Sequence, residues 1–507
     1  MNNCTGCHPV RAGSTDPLEF NQTYHAHKVE MHLSGYRGAN PALSHYSQAC
    51  FKCHTVGYDR TPSVLNGTGN GGAFAVISSN NWSFPTTFSP AIYAAVPDVV
   101  KATFNVQCES CHGPAGNHNG NKQKIGKNFA VETCGACHSS QPAEWYRSQG
   151  HKAVVSEANG TKPSTIAGCS GCHNGPGFVA MVESFPATGI VTFTSASASN
   201  RPTGTTPITC ATCHDPHKTR NSVVDGNGAL IPAMATVPKS DERDKQLRFF
   251  DRDLQLINGT VVTGTGHAAT CMACHRSRRS ALSTADLPTT TQTVFKRLGA
   301  HYGVQTDMFF GTNGAEDGTS YGSSAHTTAV MDKCTQCHMV EPPNKRPGDV
   351  NEMGGHTWRM HKDDDTPNAT VACGGCHTGS DNNPLATFDR RSTGDWDGNG
   401  KVEGIQTEVT GLMTLLDTAL TQRAATQMVH VAQGTATMTG PVNVWTNYKS
   451  TENAEGLTPT QMKAAWNWAF VKDDKSEGVH NAKYTIQLLQ RSYKMLTGSY
   501  PPGSTPR

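Results

Sequence analysis

The feature that most constrains this chain is the pattern Cys-x-x-Cys-His, which occurs nine times in 507 residues. All 18 cysteines lie in these motifs. Because histidine is only 23 of the 507 residues, its presence after all nine cysteine pairs has a chance probability of roughly one in 10¹². Numbered 1 to 9 along the chain, the motifs are Cys4/Cys7/His8, Cys50/Cys53/His54, Cys108/Cys111/His112, Cys134/Cys137/His138, Cys169/Cys172/His173, Cys210/Cys213/His214, Cys271/Cys274/His275, Cys334/Cys337/His338 and Cys373/Cys376/His377.

Three other uses of paired cysteines do not account for this pattern. Zinc ribbons join two pairs to complete a Cys₄ site, whereas nine is odd. A thioredoxin-like redox motif occurs once beside a βαβ unit, and a disulfide scaffold gives no reason for the adjoining histidines. Two thiols on one turn can instead bind the two vinyl groups of a porphyrin, with the next imidazole as proximal iron ligand. We therefore predict nine covalently attached haem c groups.

The haem density predicts the fold class. One haem per about 56 residues is too dense for each to have a conventional domain, so the porphyrins must form much of the core. We predict a mainly α fold with extensive loops, a multihaem cytochrome c architecture wrapped around a haem chain. Residues 1–377 are predicted to be the nonahaem cytochrome domain, and residues 378–507 a C-terminal helical module without haem motifs.

Helical periodicity is clear in the last 130 residues. One apolar face repeats at the helical period over Val409, Leu412, Met413, Leu416, Ala419 and Leu420. Thr458 to Gln461 resembles a capping box with Pro459 at the first helical position, and Leu457 with Met462 can form a hydrophobic staple. A final helix is predicted from about Asn481 to Thr497, with Gly498 as its stop and Tyr484, Leu488, Leu489, Met495 and Leu496 facing inward.

Histidines outside the motifs are candidates for the sixth iron ligand. Subtracting the nine motif histidines from 23 leaves 14, enough for a second imidazole on each of nine irons. The 15 methionines are competing ligands that would raise the potential of a haem.

Several segments resemble those of large multihaem c-type cytochromes of metal-respiring and related anaerobes. This group includes extracellular electron conduits and, more distantly, the octahaem nitrite, hydroxylamine and tetrathionate enzymes. The matching segments are scattered over most of the chain: Cys108 to His118, Cys210 to His217, His301-Tyr-Gly-Val-Gln, Ser324-Ala-His326, Gly355-His356-Thr-Trp and Gly478-Val-His480-Asn.

The resemblance implies which histidines bind iron on the distal side. By analogy these are His118, His151, His217, His301, His326, His356 and His480. His32 and one of His25 or His27, with His27 taken as the ninth ligand, complete the set, while His361, His267, His45 and His430 are reserves.

Two functions follow from these residues. The first is electron transfer through closely packed bis-histidine haems. The alternative is an oxidoreductase acting on a nitrogen or sulfur oxyanion at one open haem. Ammonia-forming nitrite reductases, which the chain resembles, typically have lysine in place of the motif histidine at the catalytic haem, whereas all nine motifs here end in histidine. This difference favours electron transfer, with no catalytic residue assigned.

A smaller metal site is also suggested by the sequence. Asp395, Asp397 and Asn399 are oxygen ligands at alternate positions before Gly400, as in the first half of a Ca²⁺ loop. Gln406 stands at the twelfth position, where a bidentate glutamate is expected. A turn without metal is an equal alternative.

Charge and chain start bear on partners and location. Lys and Arg total 42 against 40 Asp and Glu, so a nucleic-acid partner is not expected, nor is a membrane span. Haem attachment of this kind predicts export to the periplasm or the cell exterior. Partners would be other redox proteins, a mineral or a partner cell, or copies of the chain itself.

Motif 1 begins at Cys4, so its porphyrin is expected at an edge, where a neighbouring copy could cover it in a head-to-tail filament. A monomer that folds back over this haem is the alternative.

Overall fold

Helices and loops dominate the computed structural model, which confirms the predicted fold class. It describes residues 17–36, 46–57, 73–113, 126, 129–148, 150–153, 162–193, 200–220, 222–232, 245–281, 300–341, 345–346, 348–361, 369–377, 388–425, 431–433, 436–438, 453–454 and 459–507. Within these ranges, no helix has the length and apolar character needed to cross a membrane.

Most of the described helices are short. In chain order they are α1 Pro17–Phe20, α2 Lys28–Leu33, α3 Phe51–His54, α4 Ala73–Ser79, α5 Pro90–Ala94, α6 Asp98–Lys101, α7 Cys108–His112, α8 Val131–Gly135, α9 Ser140–Arg147, α10 Ala167–His173, α11 Gly175–Glu183, α12 Cys210–Cys213, α13 Ala269–Met272, α14 Gln305–Phe310, α15 His326–Ala329, α16 Cys334–His338, α17 Ile405–Ala425, α18 Pro459–Asp474 and α19 Ala482–Thr497. Single 3₁₀ turns cover His25–His27, Gln48–Cys50, Pro163–Thr165, Gly266–Ala268, Gly355–Thr357 and Ala369–Ala372.

The described strands form two small sheets. They are β1 Val191–Thr192, β2 Leu254–Gln255, β3 Val261–Val262, β4 Val431–Gln433, β5 Ala436–Met438 and β6 Asn453–Ala454. In the first sheet, β2 pairs in parallel with β1, Leu254 opposite Val191, and antiparallel with β3. In the second, β4 pairs antiparallel with both β5 and β6.

The chain divides into two compact units. Unit 1 comprises Met1–Tyr146 and Thr206–Arg248, and unit 2 comprises Arg147–Thr205 and Phe249–Arg507. Motifs 1, 2, 3, 4 and 6 fall in unit 1, and motifs 5, 7, 8 and 9 in unit 2. Residues 378–507, predicted to be a separate module, lie in unit 2 together with four motifs. The division at residue 377 stays a prediction.

Unit 1 has an aromatic core that includes a haem motif. Phe51, between the two cysteines of motif 2, is fully buried. Its ring stacks on Trp82, with 6.0 Å between centroids, and packs against Phe104 at 5.3 Å. Since dispersion and apolar burial hold these rings together, the motif 2 backbone is fixed by the core itself.

The larger core of unit 2 lies among the long helices α17, α18 and α19. The predicted apolar face of α17 is buried at Val409, Leu412 and Leu416. Helix α18 begins at Pro459 as predicted, while Leu457 and Thr458 lie outside the described residues. Asn481 caps α19 by accepting a hydrogen bond from the Tyr484 N–H.

The end of α19 also confirms its prediction. Gly498 adopts a left-handed φ of 87°, the conformation expected of a glycine that ends a helix. Of the side chains predicted to face inward, Met495 is half-buried and the others are buried: Tyr484, Leu488, Leu489 and Leu496.

Candidate haem sites

The motif helices place each histidine one turn after the first cysteine. In motifs 4, 6, 7 and 9 the histidine N–H donates to the carbonyl of that cysteine, at 2.8–2.9 Å. In motif 6 the variable residue Thr212 accepts a hydrogen bond from the Thr209 N–H at 3.0 Å, which satisfies a free donor at the start of α12. The local sequence thus sets the two thiols and the imidazole on one turn.

In seven motifs, the histidine faces a second imidazole from elsewhere in the same unit. The ring centroids are 5.9–6.3 Å apart in every pair. Two imidazole nitrogens bound on opposite sides of one metal, each at about 2 Å, place their ring centroids about 6 Å apart. In unit 1 the pairs are His54/His32, His112/His217 and His138/His25; in unit 2 they are His173/His301, His275/His151, His338/His480 and His377/His326.

The orientation of the motif imidazoles also fits metal binding. The Nδ1 of His112 lies 2.5 Å from the Gly126 carbonyl, that of His214 lies 2.8 Å from the Lys245 carbonyl, and that of His338 lies 3.0 Å from the Trp358 carbonyl. A carbonyl can only accept, so Nδ1 carries the proton and Nε2 keeps its lone pair for iron.

Burial lowers the pKa of six of these rings, which favours the neutral form that binds a metal. Burial lowers the pKa of His25 to about 4, and the nearby charge of His138 adds to the shift. Burial also lowers the pKa of His151 to about 4, and the nearby charge of His275 adds to the shift. His480 behaves differently. Burial alone would lower its pKa, but the charge of Asp474 and a hydrogen bond from Nδ1 to that carboxylate raise it above the ordinary value.

His25 and His27, near the N-terminal end of unit 1, have different surroundings. His25 faces His138 at 6.1 Å between centroids. The neighbouring His27, the predicted ligand, has both ring nitrogens engaged elsewhere: Nδ1 lies 2.8 Å from Glu30 Oε2, and Nε2 lies 2.7 Å from the Asn21 carbonyl. Both histidines belong to one 3₁₀ turn, but only the His25 ring faces a motif histidine.

Several predicted residues are placed away from the seven pairs or are not described. The His356 ring packs against Trp358, His361 against Phe388 and His267 against Phe250. The Nε2 atom of His267 is buried without a hydrogen-bond partner in the described part of the chain. His118, His45, His430 and the whole of motif 1, with Cys4, Cys7 and His8, lie outside the described residues.

Neighbouring motifs contact each other through their cysteines in unit 2. Cys172 of motif 5 and Cys274 of motif 7 form a thiol hydrogen bond, and each sulfur also lies 3.9 Å from a backbone carbonyl of the other motif. Cys271 of motif 7 bonds similarly to Cys334 of motif 8. Burial raises the pKa of Cys337 to about 11, and the nearby Cys373 and Cys376 of motif 9 add to the shift. The motifs therefore adjoin in the order 5, 7, 8, 9.

Unit 1 shows the same kind of contact. The Cys53 sulfur of motif 2 lies 4.0 Å from the Ala136 carbonyl in motif 4, and Cys137 lies 3.7 Å from the Cys53 carbonyl. Cys134 of motif 4 is hydrogen-bonded to Cys210 of motif 6. Motif 4 thus adjoins both motif 2 and motif 6.

The acidic loop before α17 is also assembled. Carboxylate oxygens of Asp395, Asp397 and Glu408 lie within 4.8 Å of one another. Glu408 is fully buried, and its carboxylate accepts the N–H groups of Trp396 at 2.7 Å and of Glu403 at 2.9 Å. The sequence prediction missed Glu408. The available signal was a glutamate in the first turn of the helix, two positions beyond Gln406.

Comparison with known proteins gives one family match. Residues 258–408 match the family model of the MtrC/MtrF-like outer membrane cytochromes, domains II/IV. The resemblance to multihaem electron-conduit cytochromes is confirmed. No curated protein matches the chain.

Two solved structures are similar to this chain. The undecahaem cytochrome from the S-layer of Carboxydothermus ferrireducens is 18% identical, with a TM-score of 0.40; the match covers 89% of this chain and 56% of that one. The outer cell wall cytochrome OcwA is 16% identical, with a TM-score of 0.39, and the match covers 88% of this chain and 76% of OcwA. The chain thus spans little more than half the length of the S-layer cytochrome.

Proposed function

We propose that this protein is a multihaem c-type cytochrome that carries electrons over a long distance outside the cytoplasm. The observation that carries the proposal is the set of seven imidazole pairs with centroids 5.9–6.3 Å apart. Each pair combines a motif histidine with a histidine from another part of the sequence. Bound haem supplies reversible one-electron chemistry. The histidines would occupy both axial positions, so the electron-transfer role needs no open site for a substrate.

The contacts between cysteines support a path through motifs 5, 7, 8 and 9 in unit 2 and through motifs 2, 4 and 6 in unit 1. Because every cysteine would be bonded to a porphyrin edge, adjoining cysteines imply adjoining porphyrins. Cys172 with Cys274, and then Cys271 with Cys334, would connect three successive porphyrins of unit 2. Close spacing is what a chain of one-electron carriers needs, and the polypeptide supplies it by holding the motifs side by side.

Ligation is tested by the EPR spectrum of the oxidised holoprotein. We expect all or nearly all of the signal to be low-spin, since two imidazoles give a strong ligand field. A substantial high-spin signal would contradict the proposal and favour the alternative oxidoreductase with an open haem.

The same spectrum tests the ring geometry. The planes of His54/His32 lie 12° apart and those of His173/His301 16° apart, whereas His138/His25 and His275/His151 are near-perpendicular at 85° and 84°. Parallel planes split the iron orbitals that overlap with the imidazole π systems, and perpendicular planes do not. We therefore expect both rhombic and strongly axial low-spin signals, and a single class would contradict the pair geometry.

The number of haems is a finer part of the proposal. Nine motifs predict nine covalent additions by intact mass, held by all 18 cysteines. Fewer than nine would disprove the count. The distal ligands predicted from sequence, His118 and His356 included, stay proposals for the motifs outside the seven pairs.

Calcium is a separate proposal for the acidic loop. Asp395 and Asp397 would supply carboxylate oxygens and Asn399 an amide oxygen, with Glu408 beside them. Metal analysis after exhaustive dialysis should give about one Ca²⁺ per chain if the loop binds tightly. A metal-free protein with unchanged thermal stability on adding Ca²⁺ would leave the loop as a hydrogen-bonded turn.

The partners proposed are other redox proteins, an external acceptor such as a mineral or a partner cell, or copies of this chain. A head-to-tail filament remains the prediction for the last case. Electron microscopy of the native protein checks it, because isolated particles at all concentrations would end the filament proposal and leave electron transfer intact.

A further inference from the structure

The end of α18 and the turn before α19 lie beside the ligands of three neighbouring haem sites in unit 2, at motif 7 through Gln305. The Val479 carbonyl accepts from His326 Nδ1 at 2.8 Å, and His480 faces His338 of motif 8. Gln305 contacts His275 of motif 7 through Oε1 at 3.2 Å, and its amide donates to the Asp473 carbonyl at 3.0 Å. This segment, residues 473–481, therefore reaches motifs 7, 8 and 9 at once.

One contact in this segment carries a buried charge. The Asp474 side chain is 1% exposed, and its Oδ1 lies 2.7 Å from His480 Nδ1. The Ser476 hydroxyl donates to the other oxygen, Oδ2, and the same Ser476 oxygen accepts the His480 N–H at 3.1 Å. The carboxylate is thus fixed from both sides against the imidazole, whose Nε2 remains available on the other side of the ring.

The neighbouring imidazoles have neutral acceptors instead. His326 and His338 donate to backbone carbonyls, and His275 contacts the Gln305 amide oxygen. In unit 1, Asp215 lies 3.3 Å from His217 Nδ1, but Arg248 binds the same carboxylate at 2.9 Å and offsets its charge. Among these contacts, the one to Asp474 brings the least compensated negative charge to a paired imidazole.

We infer that Asp474 is a positioning residue that lowers the reduction potential of the motif 8 haem below those of its neighbours at motifs 7 and 9. The inference rests on the proposed function, since it takes His338 and His480 as the axial ligands. A carboxylate that accepts the Nδ1 proton makes the imidazole more electron-donating, which stabilises ferric over ferrous iron. Burial strengthens this electrostatic effect because the surroundings are poorly polarisable.

The consequence is an uneven path along the order 5, 7, 8, 9. Electrons from an external reductant would populate the motif 7 and motif 9 positions first. A haem held at motif 8 would gain one electron from the reductant, with no bond broken and no proton transferred. Motif 8 would then act as an energy step that sets the rate of passage between its neighbours.

The test is a spectroelectrochemical titration of the full-length holoprotein and its Asp474→Asn variant, with dithionite as reductant. We expect one potential of the wild-type protein, that of the motif 8 haem, to rise in the variant. The ferrous-to-ferric ratio of that haem at a fixed potential should increase about tenfold, which corresponds to about 59 mV for a one-electron couple. An unchanged set of potentials in a variant that remains low-spin would overturn the inference.

Matched variants separate the effect of the Asp474 charge from that of its hydrogen-bond contact. Glu477→Gln removes an exposed charge in the same segment and should leave all potentials unchanged, whereas a shift as large as that of Asp474→Asn would overturn a contact-specific role. Asp474→Glu keeps the charge and should restore most of the low potential. If Asp474→Asn yields no holoprotein, Ser476→Ala carries the test, because losing the Oδ2 donor should strengthen the carboxylate and lower the potential further; an unchanged potential would overturn the inference.

His480→Ala tests the underlying ligation. It should convert one haem to a five-coordinate or water-ligated state. An unchanged spectrum would remove His480 as a ligand and contradict the proposed ligand set, whereas a converted spectrum together with an unshifted Asp474→Asn variant would overturn only the role of Asp474.

Discussion

The two units hold their paired histidines by different means. In unit 1, Phe51 of motif 2 belongs to the aromatic core, and His32 comes from the short helix α2. In unit 2, the long helices α17, α18 and α19 form a separate core, and the loop between α18 and α19 supplies His480 and the carbonyl that orients His326. The same five-residue motif can therefore be supported from within or by a distant scaffold.

A core truncation in each unit is the strongest test of this difference in support. Trp466 is fully buried in unit 2, and its indole N–H donates to the Asn313 carbonyl at 3.2 Å. Trp466→Ala should lower the free energy of unfolding of unit 2 by about 3–5 kcal/mol. Calorimetry checks the midpoint, and haem spectra report which sites change.

Phe51→Ala is the matched truncation in unit 1, since Phe51 is equally buried. We expect a cost of similar size, about 3–5 kcal/mol, but here with direct disturbance of motif 2. The comparison fails if Trp466→Ala perturbs the unit 1 haems as much as those of unit 2.

A sharper comparison lies within unit 1, between two histidines of one turn. His25→Ala should convert one low-spin haem to a high-spin or water-ligated form, because the ring that faces His138 is lost. His27→Ala should keep every haem low-spin, since that ring bonds to Glu30 and the Asn21 carbonyl. Magnetic circular dichroism distinguishes the two states, and the reverse result would return His27 to the ligand set.

A pH effect of intermediate size is expected from Asp307 in unit 2. Burial raises the pKa of this carboxyl to about 6, although hydrogen bonds from Ser277 oppose the shift. The folded state then binds more protons than the unfolded state between about pH 4 and pH 6, so stability falls as pH rises through this window, by up to about 3 kcal/mol. Asp307→Asn should flatten the dependence of the thermal midpoint on pH in this range. An equally steep dependence in the variant would assign it to other groups.

The smallest expected effects come from helix caps. Asn481 caps the 16-residue helix α19 and also accepts the Ser324 N–H at 2.8 Å, so Asn481→Ala should cost about 2 kcal/mol. Ser89 caps the five-residue helix α5 of unit 1, where its hydroxyl oxygen accepts from the Ile92 N–H at 3.3 Å. Ser89→Ala should cost about 0.5 kcal/mol. Chemical denaturation of both variants checks the ranking, which equal losses would contradict.

The sequence by itself determined the nine motifs and the local elements. A thiol pair followed by histidine needs only one turn of chain, so all nine motifs could be identified without a fold. The periodic face from Val409 to Leu420 and the glycine at position 498 fixed two helices by local rules that the structure confirms. Distances of three to four residues are set by backbone geometry alone.

Only the tertiary structure decided which groups meet. His25 and His27 share one turn, yet the His25 ring faces His138, more than 100 positions along the chain, whereas the His27 ring contacts the nearby Glu30 and Asn21. Likewise, the His480 imidazole contacts the buried carboxylate of Asp474, six positions before it, whereas the His326 imidazole contacts the Val479 carbonyl, 153 positions along the chain. Imidazole chemistry depends on what lies against each nitrogen, and where that partner is distant in sequence, as for His326, only the tertiary structure supplies it.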